Sequence, residues 1–121
     1  MKYLVITVMI AAAAGRAEGS AQDKGAAPVP RAKAVELYTA TCQVCHGPSG
    51  TGSPLTPGTA FAGRKWKHGS RPQDVVKTIT NGVPGTMMLP FKDRLSPGEI
   101  TALASLVRSY DKALKPSSGK K

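Results

Sequence analysis

The residues best equipped for chemistry in this 121-residue chain stand together as Cys42-Gln43-Val44-Cys45-His46. They include both cysteines of the chain and one of its two histidines. Two thiols three positions apart near a helix end lie on roughly one face. They can form thioethers to the two vinyl groups on one edge of a porphyrin, and the adjacent imidazole then reaches the iron from one side of the ring. C-x-x-C-H therefore reads as a c-type haem attachment site. The same residues admit three plainer readings. One is a structural disulfide. Another is a thioredoxin-like redox pair, although nothing here shows the βαβ pattern that carries it. The third is half of a zinc site completed by His46 and the distant His68, which would need the consecutive residues Cys45 and His46 among four ligands.

The elements that must position this motif can be read from apolar spacing. A helix is expected from about Ala32 to Cys42, with Ala34, Leu37, Tyr38 and Thr41 on one face. Residues 47–69 are rich in Gly, Pro, Ser and Thr, and Pro48, Pro54 and Pro57 forbid a long helix. This stretch is expected to be an ordered loop around the haem, with the carbonyl of Pro54 or Pro57 accepting a hydrogen bond from His46. Arg64-Lys65-Trp66-Lys67-His68 reads either as a solvated basic loop with Trp66 plugging the core, or as a propionate site using the Trp66 N–H or else Arg64 and Lys67. His68 is expected at the surface. Ser70 to Gln73 suggests a capping box before a short helix over about 71–80, with Val75, Val76 and Ile79 facing the core. A loop over 83–95 contains Met87, Met88, Pro90 and Phe91. The last helix starts clearly, with Ser96 as cap, Pro97 in the first turn and Glu99 returning the bond. Its core face holds Ile100, Leu103, Ala104, Val107 and Tyr110, widened by Leu106.

Length allows one domain. Residues 1–21 read as a secretory signal peptide: Lys2, then the apolar run Leu4–Ala14, then small residues. Eleven apolar residues fall short of the ~20 needed to span a bilayer. Cleavage would remove Lys2, Arg16 and Glu18 and lower the net charge from +10 to +9. The remaining organisation is a flexible leader over 22–30, one domain over 31–111 and a basic tail over 112–121. An export signal implies a periplasmic location, where covalent haem attachment and disulfides are both feasible. The basic balance points to an acidic protein partner or an anionic membrane surface. With 5% aromatic residues and no stacking pattern, nucleic acid is not expected as a partner.

With these elements in place the chain resembles the small class I c-type cytochromes, particularly soluble bacterial monohaem ones. The likeness covers about residues 31 to 110. It rests on Leu37-Tyr38 before Cys42-x-x-Cys45-His46-Gly47, on Asn81-Gly82-Val83-Pro84-Gly85-Thr86 leading into a methionine, and on the closing amphipathic helix. The resemblance implies an all-α cytochrome c fold, with three main helices and long loops wrapped around one covalently attached haem c. It implies Cys42 and Cys45 as attachment points and His46 and a methionine as axial iron ligands. The family pattern Gly-Thr-x-Met-x-x-Phe favours Met88, with Met87 the alternative because Leu89 separates Met88 from Pro90. Pro90 and Phe91 would shield that side of the haem. A six-coordinate iron suits an electron carrier, expected as a monomer passing electrons between redox proteins and not as an enzyme. The alternatives are a haem enzyme or gas or peroxide sensor with a labile Met, or a fixed subunit of a dehydrogenase or oxidase complex.

Overall fold

The computed structural model describes residues 27–116. The signal peptide reading, most of the leader 22–30 and the end of the tail 112–121 therefore lie outside the described residues. Four α-helices follow one another: α1 (Arg31–Thr41), α2 (Gln43–His46), α3 (Pro72–Asn81) and α4 (Pro97–Tyr110). A 3-10 turn at Pro48–Gly50 follows α2. Among the described residues no β-strand forms, and one isolated bridge joins Ser53 to Thr56.

Helix α4 is the shared wall. It packs on α1 on one side and on α3 on the other. Ala34 and Tyr38 from α1, Val75 and Ile79 from α3, and Ile100, Leu103, Ala104, Leu106 and Val107 from α4 form one buried core. The apolar spacing of each helix thus faces the common centre, and burial of those stripes is the main term holding the helices together. Ala34 is small and 1% exposed, which lets α1 approach its neighbours closely. Tyr38 and Tyr110 meet edge-to-face across the α1–α4 contact, with ring centroids 5.2 Å apart.

The helix starts differ in how far they follow the sequence. At α4 the Ser96 hydroxyl accepts from the Glu99 N–H (3.2 Å), and the Ser96 N–H donates to the Glu99 carboxylate (2.9 Å). That reciprocal cap satisfies two donors that a helix start leaves free. At α3 the expected cap at Ser70 with Gln73 is displaced by one residue. Pro72 has no N–H to lose and a fixed φ suited to the first helical position, so Arg71 becomes the capping position. Asp74 then replaces Gln73 as the returning group: it accepts from the Arg71 N–H (3.3 Å) and from the Arg71 guanidinium (2.8 and 2.9 Å). This pairing holds the Asp74 carboxyl below its ordinary range.

Candidate functional site

The motif sits where α1 breaks. Cys42 closes α1 by donating its N–H to the Tyr38 carbonyl (2.8 Å). With φ −107° it stands at the joint, and Cys45 and His46 ride on the single turn of α2. Gly47 ends α2 at φ +73°, a left-handed value that a side chain resists. A Cβ there would also collide with the Gly52 backbone. The turn is anchored to the core by one side chain. The buried Tyr38 hydroxyl donates to the Gly47 carbonyl (2.7 Å) and accepts from the Gly50 N–H (3.0 Å). Burial pushes the Tyr38 hydroxyl up to about 12, so it stays protonated and can keep both bonds.

His46 is oriented by the loop that follows. Its Nδ1 donates to the Thr59 carbonyl at 2.7 Å. Pro54 and Pro57, the expected acceptors, do not fill this role, because the loop folds so that Thr59 comes alongside the ring. Thr56 and Thr59 brace the same turn, both hydroxyls donating to the Cys45 carbonyl. With Nδ1 engaged, Nε2 is the nitrogen left with a lone pair that a metal could take. The His46 ring also lies 5.5 Å from Phe61, which lies 5.1 Å from Trp66.

Cys42, Cys45 and His46 line one cleft of about 490 Å³. Its walls are mainly apolar, drawn from Phe61, Trp66, Val75, Ile79, Leu103 and Val107. The volume falls in the range of cofactor pockets, about 300–1,000 Å³. Cys42 and Cys45 are not joined in a disulfide, so both sulfurs remain available to the cleft. Among the described residues no three His, Cys, Asp or Glu side chains are grouped to hold a metal ion, so His68 does not complete a zinc site with the motif. Instead His68 is exposed at the cleft rim. Two thiols, one oriented imidazole and an apolar slot match the chemistry of a covalently attached, iron-ligating macrocycle.

The methionine loop closes the same cleft. Met87, Met88 and Leu89 all line it. Met88 is half-buried and packs against the core, whereas Met87 is 84% exposed. The Met88 carbonyl accepts from the Val83 N–H (2.9 Å) and the Met88 N–H donates to the Thr86 hydroxyl (3.2 Å), which fixes the loop at this residue. Phe91 lines the cleft and Pro90 does not, so only Phe91 shields it.

The residues expected at a propionate site are placed differently from one another. The Trp66 indole N–H donates to the Asp111 carboxylate at 2.8 Å. Asp111 is buried at the end of α4 and already occupies the donor. Arg64 is exposed and is not part of the cleft, whereas Lys65 and Lys67 line it. Neither Thr59 nor Asp111 was singled out from the sequence. A backbone carbonyl leaves no mark in a sequence, since every residue carries one. Asp111 had a faint signal, an acid directly after the closing amphipathic helix.

Comparison with known proteins agrees with this geometry. The family described as cytochrome c oxidase, cbb3-type, subunit III matches residues 30–107. The chain is 38% identical over 88 residues to the cbb3-type cytochrome c oxidase subunit FixP of Azorhizobium caulinodans, covering 70% of this chain and 30% of that protein. It spans about 30% of the length of the curated relatives it matches. Among solved structures, the KustC0563 c-type cytochrome superposes with a TM-score of 0.57 at 33% identity, covering 65% of this chain and 98% of that one. Cytochrome CL of Methylophaga aminisulfidivorans gives 0.54 at 25% identity, covering 65% and 51%. The chain thus has the all-α cytochrome c fold, carries covalently bound haem c and belongs to the family of cytochrome c oxidase, cbb3-type, subunit III.

Proposed function

We propose that this c-type cytochrome passes single electrons, and that Cys42 and Cys45 would hold its haem by thioethers while His46 and Met88 would supply nitrogen and sulfur to the iron. Haem c supplies a reversible ferric–ferrous couple. The chain's own residues do the rest. The Thr59 carbonyl fixes the ring plane and tautomer of His46. Met88 offers a soft, neutral thioether, and His/Met ligation favours the ferrous state and raises the potential. Phe61, Val75, Ile79 and Leu103 keep water from the cleft. With both His46 and Met88 as ligands the iron would keep no open position for substrate, which favours a carrier over an enzyme or gas sensor. The observation that carries the reading is the oriented His46 and the half-buried Met88 lining one apolar cleft with both cysteines.

Met88→Ala tests the ligand choice. The sulfur-to-iron charge-transfer band of the oxidised holoprotein should vanish in Met88→Ala and persist in Met87→Ala. Loss of the band only in Met87→Ala transfers the role to Met87. Rapid carbon monoxide binding by the reduced wild type at neutral pH would favour the sensor reading.

The docking partner in this reading is an acidic redox protein. Lys65, Lys67 and Arg94 line the cleft, and no acidic side chain does. The sequence of residues 1–21 supports action in the periplasm, and no helix among the described residues is long and apolar enough to cross a membrane. A fixed place in an oxidase complex is the second reading, favoured by relatives that are named as oxidase subunits. Co-purification with a membrane oxidase would support it, and a freely diffusing monomer would support the carrier.

A further inference from the structure

Asp111 is the only charged side chain buried among the described residues, at 4% exposure. Its position is electrostatically unfavourable twice over. It stands at the C-terminal end of α4, where the helix dipole is already negative. It also has no cation within ion-pair distance among the described residues. A buried, unpaired charge is costly unless hydrogen bonds replace its water. Here they do: Oδ2 accepts from the Trp66 indole (2.8 Å), and Oδ1 accepts from the Ala113 N–H (3.1 Å). These donors hold the carboxyl below its ordinary range, so it is ionised at neutral pH.

The carboxylate lies directly behind the cleft wall. Trp66 is part of that wall, and so is Val107, one turn before Asp111 on α4. Trp66 in turn stacks obliquely on Phe61, and Phe61 on the His46 ring. The groups lining the cleft itself carry only positive charge, from Lys65, Lys67 and Arg94. Asp111 thus supplies a fixed negative charge one hydrogen bond beyond the wall. We infer that Asp111, acting through Trp66, is a positioning residue that biases the haem towards its ferric state and fixes the Trp66 ring in the cleft wall. A fixed anion in a low-dielectric surrounding stabilises the more positive oxidation state. It therefore opposes the ferrous bias of the Met88 thioether. The inference rests on the haem reading given above.

The test uses the holoprotein in a mediator-buffered redox titration. Asp111→Asn keeps an acceptor for the indole and removes the charge. It should shift the ferrous-to-ferric ratio at fixed potential about tenfold towards ferrous, which is about 59 mV for one electron. Asp111→Ser, a smaller neutral acceptor, should shift it in the same direction, and Asp111→Glu should not. The indole N–H resonance of Trp66, the only tryptophan, should move in the Asn variant. An unchanged ratio in both neutral variants with the charge-transfer band intact overturns the inference. So does an indole resonance that ignores the substitution. A wild-type holoprotein lacking that band instead refutes the Met88 assignment, independently of any shift at Asp111.

Discussion

Tyr38 shows how one side chain sets the site from a distance. Its hydroxyl joins α1 to the turn after His46 through two bonds, to the Gly47 carbonyl and from the Gly50 N–H. Removing it in Tyr38→Phe leaves the buried Gly47 carbonyl and Gly50 N–H only their long bond to each other (3.3 Å), at a cost of about 1–3 kcal/mol. Denaturant unfolding of the holoprotein at pH 7 should show a deficit of about 2 kcal/mol. The deficit should also depend on pH. The hydroxyl ionises near 10 when unfolded and near 12 in the fold. The folded state therefore holds the proton more tightly, and the wild type has its full Tyr38 contribution below pH 10. It loses that contribution as pH rises towards 12. The gap to Tyr38→Phe should narrow over that window, and a constant gap would refute the assigned network. At this scale the covalent motif was plain in the sequence, because Cys42, Cys45 and His46 carry their chemistry in their side chains. The spacing of Tyr38 marks a core-facing ring but not the partners of its hydroxyl. Thr59 was invisible because it acts through its backbone.

At the scale of elements, the helices were legible where apolar spacing and caps agreed. The face of α4 is buried as its spacing implies, from Ile100 to Val107. The start of α3 lies one residue later than the Ser70 cap implies, because Pro72 suits the first helical position and makes Arg71 the capping residue. The turn from α3 into the methionine loop has less sequence signal but tight geometry. Gly82 sits at φ +67° and ψ −171°, a region nearly closed to other residues. A Cβ there would come 2.5 Å from the Met88 carbonyl oxygen and 2.7 Å from the Pro90 nitrogen. The loop is also pinned to α3 by the Phe91 N–H on the Ile79 carbonyl (3.1 Å). Gly82→Ala should thus cost about 1–3 kcal/mol of stability from the backbone alone and push Met88 off its position, weakening the charge-transfer band. Gly85→Ala is the control. Gly85 is at φ +77° with nothing within 4 Å of an added Cβ, so it should lose stability and keep the band. Equal loss of the band in both variants would refute a specific role for Gly82.

For the molecule as a whole, charge is what composition reveals and placement is what it hides. The net charge of +10 says that anions are attracted, not where. The fold gathers Lys65, Lys67 and Arg94 at the cleft, while the two ion pairs among the described residues, Lys33–Glu36 and Arg71–Asp74, stand elsewhere. Electrons entering or leaving by this mouth should meet a positive field. The field can be read without knowing the natural partner, by oxidising the reduced holoprotein with small metal complexes of opposite charge. The Debye length contracts from about 30 Å at 0.01 M to about 8 Å at 0.15 M ionic strength. Over that range an anionic iron complex should react several-fold more slowly as salt rises, and a cationic ruthenium or cobalt complex faster. Reversing Lys65 and Lys67 to Glu should flatten both slopes with the haem spectrum unchanged. Like slopes for the two oxidants would mean that the basic residues at the cleft do not steer, and the acidic docking partner would lose its support.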